Sequence, residues 1–217
     1  MGTRLNGKGL LLDLDGTLAD SVPALRAVYF AFLSGLGATG TDDEFGRLNG
    51  PPLAEIIRVL KKAHGLRDEP AALLRRYSDM IRHAHQTAPP VGGATELLQE
   101  ARTRGWKIAV VTSSARSAAW DWLVRSGLSD RVDAVVGGDE VANGKPAPDP
   151  YVLGLSRVNC AAAVSLAVED SRLGAMSAVA AGLSTWVVAD PTDRSGWPAE
   201  VGFVSGLPDL LEILRTC

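Results

Sequence analysis

The chain has 217 residues, a formal net charge of −3, and 46% hydrophobic against 22% charged residues, the balance of an ordinary globular protein with no basic nucleic-acid-binding face. No apolar run reaches the roughly 18 residues of a membrane-spanning helix, and the polar start MGTRLNGKG is not a signal peptide. The two cysteines, Cys160 and Cys217, have neither metal-ligand nor framework spacing, so a cytoplasmic protein with incidental thiols and no nucleic-acid or membrane partner is expected.

In chain order, the first strong signal is GLLLDLD at 9–15, a continuously apolar run that closes on Asp13 and Asp15. From about 19 to 88 the signals are helical: Val22, Leu25, Val28, Tyr29, Phe32 and Leu36 recur at steps of three and four, and PPLAEIIRVLKKAHG and PAALLRRYSDMIRHAHQ continue the pattern. His83 and His85, two apart on a helix, are read as surface histidines. A crossover between parallel strands needs only about a dozen residues. An inserted helical subdomain is therefore predicted, rejoining the core near the breaker APPVGG at 88–93.

Beyond the insert, helices and strands alternate. Helix TELLQEARTRG stops at Gly105, strand KIAVVT covers 107–112, and helix SAAWDWLVRSG stops at Gly127. Further apolar runs follow at 133–138, 164–170, 184–190 and 201–204. Several are Val-rich without alternation, the mark of strands covered on both faces. The predicted class is α/β: a doubly wound, parallel, Rossmann-like sheet from 1–18 and 89–217, with a small helical domain inserted over 19–88.

In open parallel sheets, ligands bind outside the carboxyl ends of the strands. Asp13, Asp15, Gly16 and Thr17 follow the first predicted strand, and Thr112, Ser113, Ser114 and Arg116 the second. Lys145 stands in NGKPAPDP beyond the third, and Glu169, Asp170 and Ser171 end the fourth. Hard oxygen donors without a His or Cys set suit Mg²⁺. TSSAR opening a helix offers free N–H groups and hydroxyls to a phosphate. A fixed lysine would neutralise a transferring phosphoryl group, one carboxylate could attack phosphorus and the other move a proton. The residue types alone do not separate the roles of Asp13 and Asp15. An EF-hand loop also opens D-x-D, but Leu18 stands where that loop needs Gly and Ala24 where it needs Glu.

DLDGT, VVTS, GKPAPDP and VEDS, in this order and spacing, resemble the four motifs of the haloacid dehalogenase-like hydrolase superfamily. The resemblance covers about residues 9–190, and the insert directly after the first motif resembles the C1-cap subgroup. Within it, DLDGTLADS and GKPAPDPY are similar to the phosphoglycolate phosphatase and β-phosphoglucomutase branch. The resemblance implies Asp13 as nucleophile and Asp15 as general acid/base, with Thr112 on the phosphoryl oxygens and Lys145 steadying both nucleophile and phosphate. It implies Mg²⁺ on the Asp13 carboxylate, the Asp15 main-chain carbonyl and Asp170, with Glu169 close by or in the outer shell. Thr17, Gly50 in the loop GPPL, Ser113, Ser114 and Arg116 are expected to touch substrate.

The expected activity is a Mg²⁺-dependent phosphatase that hydrolyses a small phosphomonoester, phosphoglycolate- or sugar-phosphate-like, through an aspartyl-phosphate. The alternative is a β-phosphoglucomutase-like isomerase. That branch usually has an arginine in the GPPL loop, where Leu53 stands here, although Arg47 and Arg58 are near. A third option is a non-catalytic binding protein, which the four filled motifs oppose. Lys61 or Lys62 as a Schiff-base lysine is opposed by Asp15, which relatives using that chemistry lack. Monomer and homodimer both stay open, and substrate choice is left to the cap.

Overall fold

The computed structural model describes residues 7–48 and 51–216, without the side chain of Gln86. Six parallel strands form one sheet: β1 (Gly9–Leu12), β2 (Lys107–Val111), β3 (Ala134–Val136), β4 (Leu166–Glu169), β5 (Ser184–Val188) and β6 (Gly202–Val204), ordered β3-β2-β1-β4-β5-β6. All six fall inside the apolar runs read from the sequence. Their register sets Leu12 beside Val110 on one side and Val168 on the other. The chain winds outward from β1 in one direction and, after β3, returns to β4 to build the other half. The boundary between β1 and β4 is thus the switch point where such sheets open a crevice.

Five helices cover the sheet: α5 (Ala94–Thr103), α6 (Arg116–Arg125), α7 (Asp149–Val158), α8 (Arg172–Ala180) and α9 (Leu207–Thr216). Leu10 and Leu12 pack with Leu97, Val110 and Leu210 on one face. Leu11 packs with Val111, Tyr151 and Leu155 on the other. Each such leucine, fully buried, contributes about 1.5–3 kcal/mol, which is why β1 carries no polar residue until it ends. Gly105 (φ +75°) and Gly127 (φ +67°) sit just past α5 and α6 in the left-handed region, as their helix-stop reading requires. Helix α7 begins at Asp149 itself, and the Asp149 carboxylate accepts a 2.9 Å bond from Asn143.

Between β1 and α5, the described residues form four helices: α1 (Val22–Ser34), α2 (Asp42–Arg47), α3 (Leu53–His64) and α4 (Pro70–Thr87). They pack around their own centre of Tyr29, Phe32, Leu60, Leu73 and Tyr77. Helix α2 has no apolar period and was not anticipated. It is set by its cap: Thr41 Oγ1 accepts from the Glu44 N–H at 3.2 Å, and three acidic residues occupy the first turn, where the helix dipole favours them.

The two linkers of this insert run side by side. Ala19 pairs with Pro90, the Asp20 N–H donates to Pro89 O at 2.9 Å, and the Val91 N–H to Leu18 O at 2.8 Å. Trp122, buried on α6, donates its indole N–H to Ala88 O at 2.9 Å, while Trp120 is exposed. Among the described residues, no helix is long and apolar enough to cross a membrane.

Candidate functional site

The carboxyl ends of β1, β2 and β4 meet Lys145 beneath the insert. The cleft between them is lined on the sheet side by Asp13, Asp15, Thr112, Ser113, Ser114, Lys145, Asp170 and Ser171. Seven of the residues expected at the site therefore share one cleft.

Its centre is Lys145, 5% exposed. Its ammonium donates to Asp13 Oδ1 at 2.6 Å, Glu169 Oε1 at 2.5 Å and Val111 O at 3.1 Å, so all three N–H groups are used. Burial alone would pull the Lys145 pKa down, but Asp13 and then Glu169 overcome it and hold the lysine well above its ordinary value. The Asp13 carboxyl goes the other way. Burial pushes it well above the usual range, Lys145 offsets part of this, and Glu169, Asp170 and Asp15 add to it. The carboxylates of Asp13, Asp15, Glu169 and Asp170 thus crowd one place, and among the described residues that line the cleft the basic side chains are Lys145 and His85, a charge balance that favours a divalent ion.

Glu169 is fully buried, below the cleft floor. One oxygen accepts from Lys145 and from the Tyr151 hydroxyl (2.6 Å), the other from the Ser171 hydroxyl (3.0 Å). Tyr151, in the first turn of α7, was not anticipated. Asp13, Glu169 and Asp170 each bring one oxygen within 4.8 Å of the others, an all-oxygen donor set suited to a hard cation. Gly16 makes room for it: at φ +83°, any Cβ would stand 2.0 Å from Asp170 Oδ2. Gly174 does the same under Glu169, where a Cβ would lie 2.1 Å from the carboxylate.

Asp15 sits against the insert. Its Oδ1 accepts from Ser21 Oγ at 2.7 Å and lies 3.0 Å from His85 Nε2, while Oδ2 accepts from Ser114 Oγ at 3.3 Å. Burial opposes ionisation of Asp15, yet His85, Ser21 and Ser114 together hold its carboxyl below the usual range. Burial likewise works against the charged form of His85, and Asp15 overrides it to raise the histidine pKa.

Several expectations need correction. His85 is not a surface histidine: it is 7% exposed and faces Asp15, whereas His83 is exposed. The signal was present in the sequence, since Leu73, Tyr77, Ile81 and His85 repeat every four residues on one face of α4. Arg116 lies outside the cleft. Its backbone N–H is taken by Asp139 Oδ1 at 2.8 Å and its side chain leans toward Glu140 at 3.9 Å; the helix start read as a phosphate seat is filled in part by a carboxylate of the protein. Thr17 is fully buried and does not line the cleft, and its hydroxyl finds no partner among the described residues. Thr112 does line it, with its Oγ1 accepting from the Ser114 N–H at 3.0 Å. Gly50 lies outside the described residues, but Pro51 and Leu53 of the same loop reach the cleft. Lys61 donates to Leu66 O and Asp68 O on the far side of α3, away from Asp15.

Comparison with known proteins extends this picture. The chain is 31% identical over 216 residues to a phosphoglycolate phosphatase of Cupriavidus necator, covering 94% of this chain and 90% of that protein. It is 29% identical over 177 residues to a phosphorylated carbohydrates phosphatase of Thermotoga maritima, covering 81% and 82%. Its fold superposes on a β-phosphoglucomutase of Clostridium difficile with a TM-score of 0.84 at 17% identity, over 97% of this chain and 96% of that one. The profile of haloacid dehalogenase-like hydrolases matches residues 10–188, a span from the first residues of β1 to the last of β5. The chain belongs to the haloacid dehalogenase-like hydrolases.

Proposed function

We propose that the protein is a cytoplasmic, divalent-metal-dependent phosphatase of small phosphomonoesters, working through an aspartyl-phosphate on Asp13, with residues 19–88 acting as a cap. The observation that carries this is Asp13 held by Lys145 at 2.6 Å, with Asp15 directed by three side chains at the cap boundary. Phosphatase relatives at 29–31% identity support it.

Lys145 holds one Asp13 oxygen and leaves the other to attack phosphorus. As that bond forms, the bond from phosphorus to the leaving oxygen breaks, and the proton shared by Asp15 and His85 passes to the leaving oxygen. Asp15 then takes a proton from water, the hydroxide attacks phosphorus, and the Asp13 carboxylate is released. Thr112, Ser113 and Ser114, between β2 and α6, line the cleft and would face the phosphoryl oxygens. Asp13, Asp170 and the Asp15 main-chain carbonyl would hold the metal, Mg²⁺ by the donor set, with Glu169 behind them holding Lys145; the ion supplies charge stabilisation to the phosphoryl oxygens. The cap excludes bulk water while the acyl-phosphate persists.

The mutase alternative needs a cation for a second phosphate. Leu53 lines the cleft where that cation would stand, Arg58 pairs with Glu55 on the outer face, and Arg47 donates to Asp43 O. The deciding experiment is phosphate release from a panel of phosphomonoesters with Mg²⁺, with Asp13→Asn as blank. Activity lost in that variant and on chelation supports the proposal; full activity in Asp13→Asn overturns it. A glucose 6-phosphate product from glucose 1-phosphate would move the assignment to the mutase.

A further inference from the structure

The cleft has two unlike walls. The sheet side is polar throughout, and it takes the phosphoryl group. The cap side is built from apolar side chains, among them Leu25 of α1, Phe45 of α2, Leu53 and Ile56 of α3, and Tyr77 and Ile81 of α4. Among the described residues on that side, the polar atoms are the Tyr77 hydroxyl and the His85 ring, whose Nε2 is turned to Asp15. No lysine or arginine lines it among the described residues.

Of the arginines on these helices, Arg26 pairs with Asp42 at 2.5 Å, Arg58 with Glu55 and Arg82 with Asp79, while Arg47 donates to Asp43 O and lines a neighbouring cavity with Asp170 and Ser171 rather than this wall. The whole cleft, polar side included, has a volume of about 100 Å³ and is open to solvent on one side, so the room beside a phosphoryl group suits a small leaving group.

From this wall we infer that the leaving group is a short apolar alcohol, alkyl or aryl, with no second charge and no run of hydroxyls. The inference rests on the phosphatase reading and narrows its substrate. A carboxylate or second phosphate seated against Leu25 and Leu53 would lose its water without gaining a counter-charge. A run of sugar hydroxyls there would lose more hydrogen bonds than the Tyr77 hydroxyl of the described wall could return. An apolar group loses nothing and gains contact with six side chains. The relatives named for phosphoglycolate and phosphorylated carbohydrates are 31% and 29% identical to this chain, and it is the cap wall that would set this chain apart in substrate.

The test compares alcohols of similar intrinsic reactivity. Benzyl phosphate and isopentyl phosphate are assayed beside 2-phosphoglycolate and glucose 6-phosphate, all with Mg²⁺ and the intact chain. The expected result is kcat/KM at least about 100-fold higher for the two apolar esters. Equal or better turnover of phosphoglycolate or the sugar phosphate overturns the inference while leaving the phosphatase reading intact. No phosphate from any ester overturns the phosphatase reading, and the inference with it. Leu53→Arg gives an independent readout. It should lower kcat/KM for isopentyl phosphate about 10-fold or more and raise it for phosphoglycolate. An equal change for both esters would overturn the assignment of this wall to the leaving group.

Discussion

The two walls of the cleft are made by opposite rules. On the sheet side nearly every side chain is ionised or hydrogen-bonded: Lys145 has three acceptors, Glu169 three side-chain donors, and Asp15 three neighbours. On the cap side, contact is apolar and non-directional. Reaction chemistry tolerates little displacement, so it rests on strand ends locked by β-sheet register. Selection by shape and apolar contact tolerates more, so the proposed substrate selection falls to helices with their own core. Two residues of the insert, Ser21 and His85, reach into the polar side at Asp15.

The sharpest break in this contrast is Asp13→Asn. Activity should fall by at least about 10³-fold. The Asp13 carboxyl has its pKa raised by burial, so the fold favours its protonated form. Its contribution to stability is therefore present at low pH and lost as pH rises through the folded value. The metal-free variant should melt about 2–4 °C higher than wild type at pH 7, as read by calorimetry; a lower melting point would contradict the crowding of carboxylates described above.

Next in size is Lys145→Met, which strands Asp13 and Glu169 in the interior. A loss of about 3–5 kcal/mol is expected in urea unfolding, far beyond what an exposed lysine would cost. His85→Ala should lower kcat about 10- to 100-fold with KM changed by less than about threefold. His85→Gln, which keeps an N–H donor, should recover part of the loss. A KM effect alone would place His85 with the apolar wall instead.

The smallest effect belongs to a pair remote from both walls. Arg157 holds the Glu140 carboxyl down to about 2 from its ordinary 4.5, with the Gly137 N–H assisting. Its contribution is present above about pH 4.5 and lost as pH falls toward 2. Because the pair is largely solvated, Glu140→Gln should flatten that acid limb by less than about 1 kcal/mol.

The strands and the candidate site were legible because a both-sides-buried strand permits few residue types, and a polar residue at its end then stands out. DLDGT, VVTS and VEDS each announce such an end, whereas GKPAPDP lies in the loop between β3 and α7. The insert was legible only as helix. Val22 and Leu25 look like core residues by their spacing, yet they face the cleft, because a substrate-facing apolar wall and a packed core obey the same period. Arg116 was misplaced for a different reason: a helix start can be satisfied by a residue distant in sequence, here Asp139, and no local pattern reveals it. His85 was obscured by its neighbour, since His83 on the other face gave the pair the look of a solvated surface.

The bond from Trp122 to Ala88 has a mechanical consequence. With Ala88 pinned to α6 and Ala19 tied to Pro90, the fulcrum for any swing of the cap lies at the base of α4. His85 lies three residues from Ala88, within one turn of that tie, whereas Phe45 and Leu53 belong to α2 and α3 and pack into the insert's own core. On the proposed reading of 19–88 as a cap, the Asp15–His85 pair therefore sits beside the part of the insert held most directly to the sheet domain.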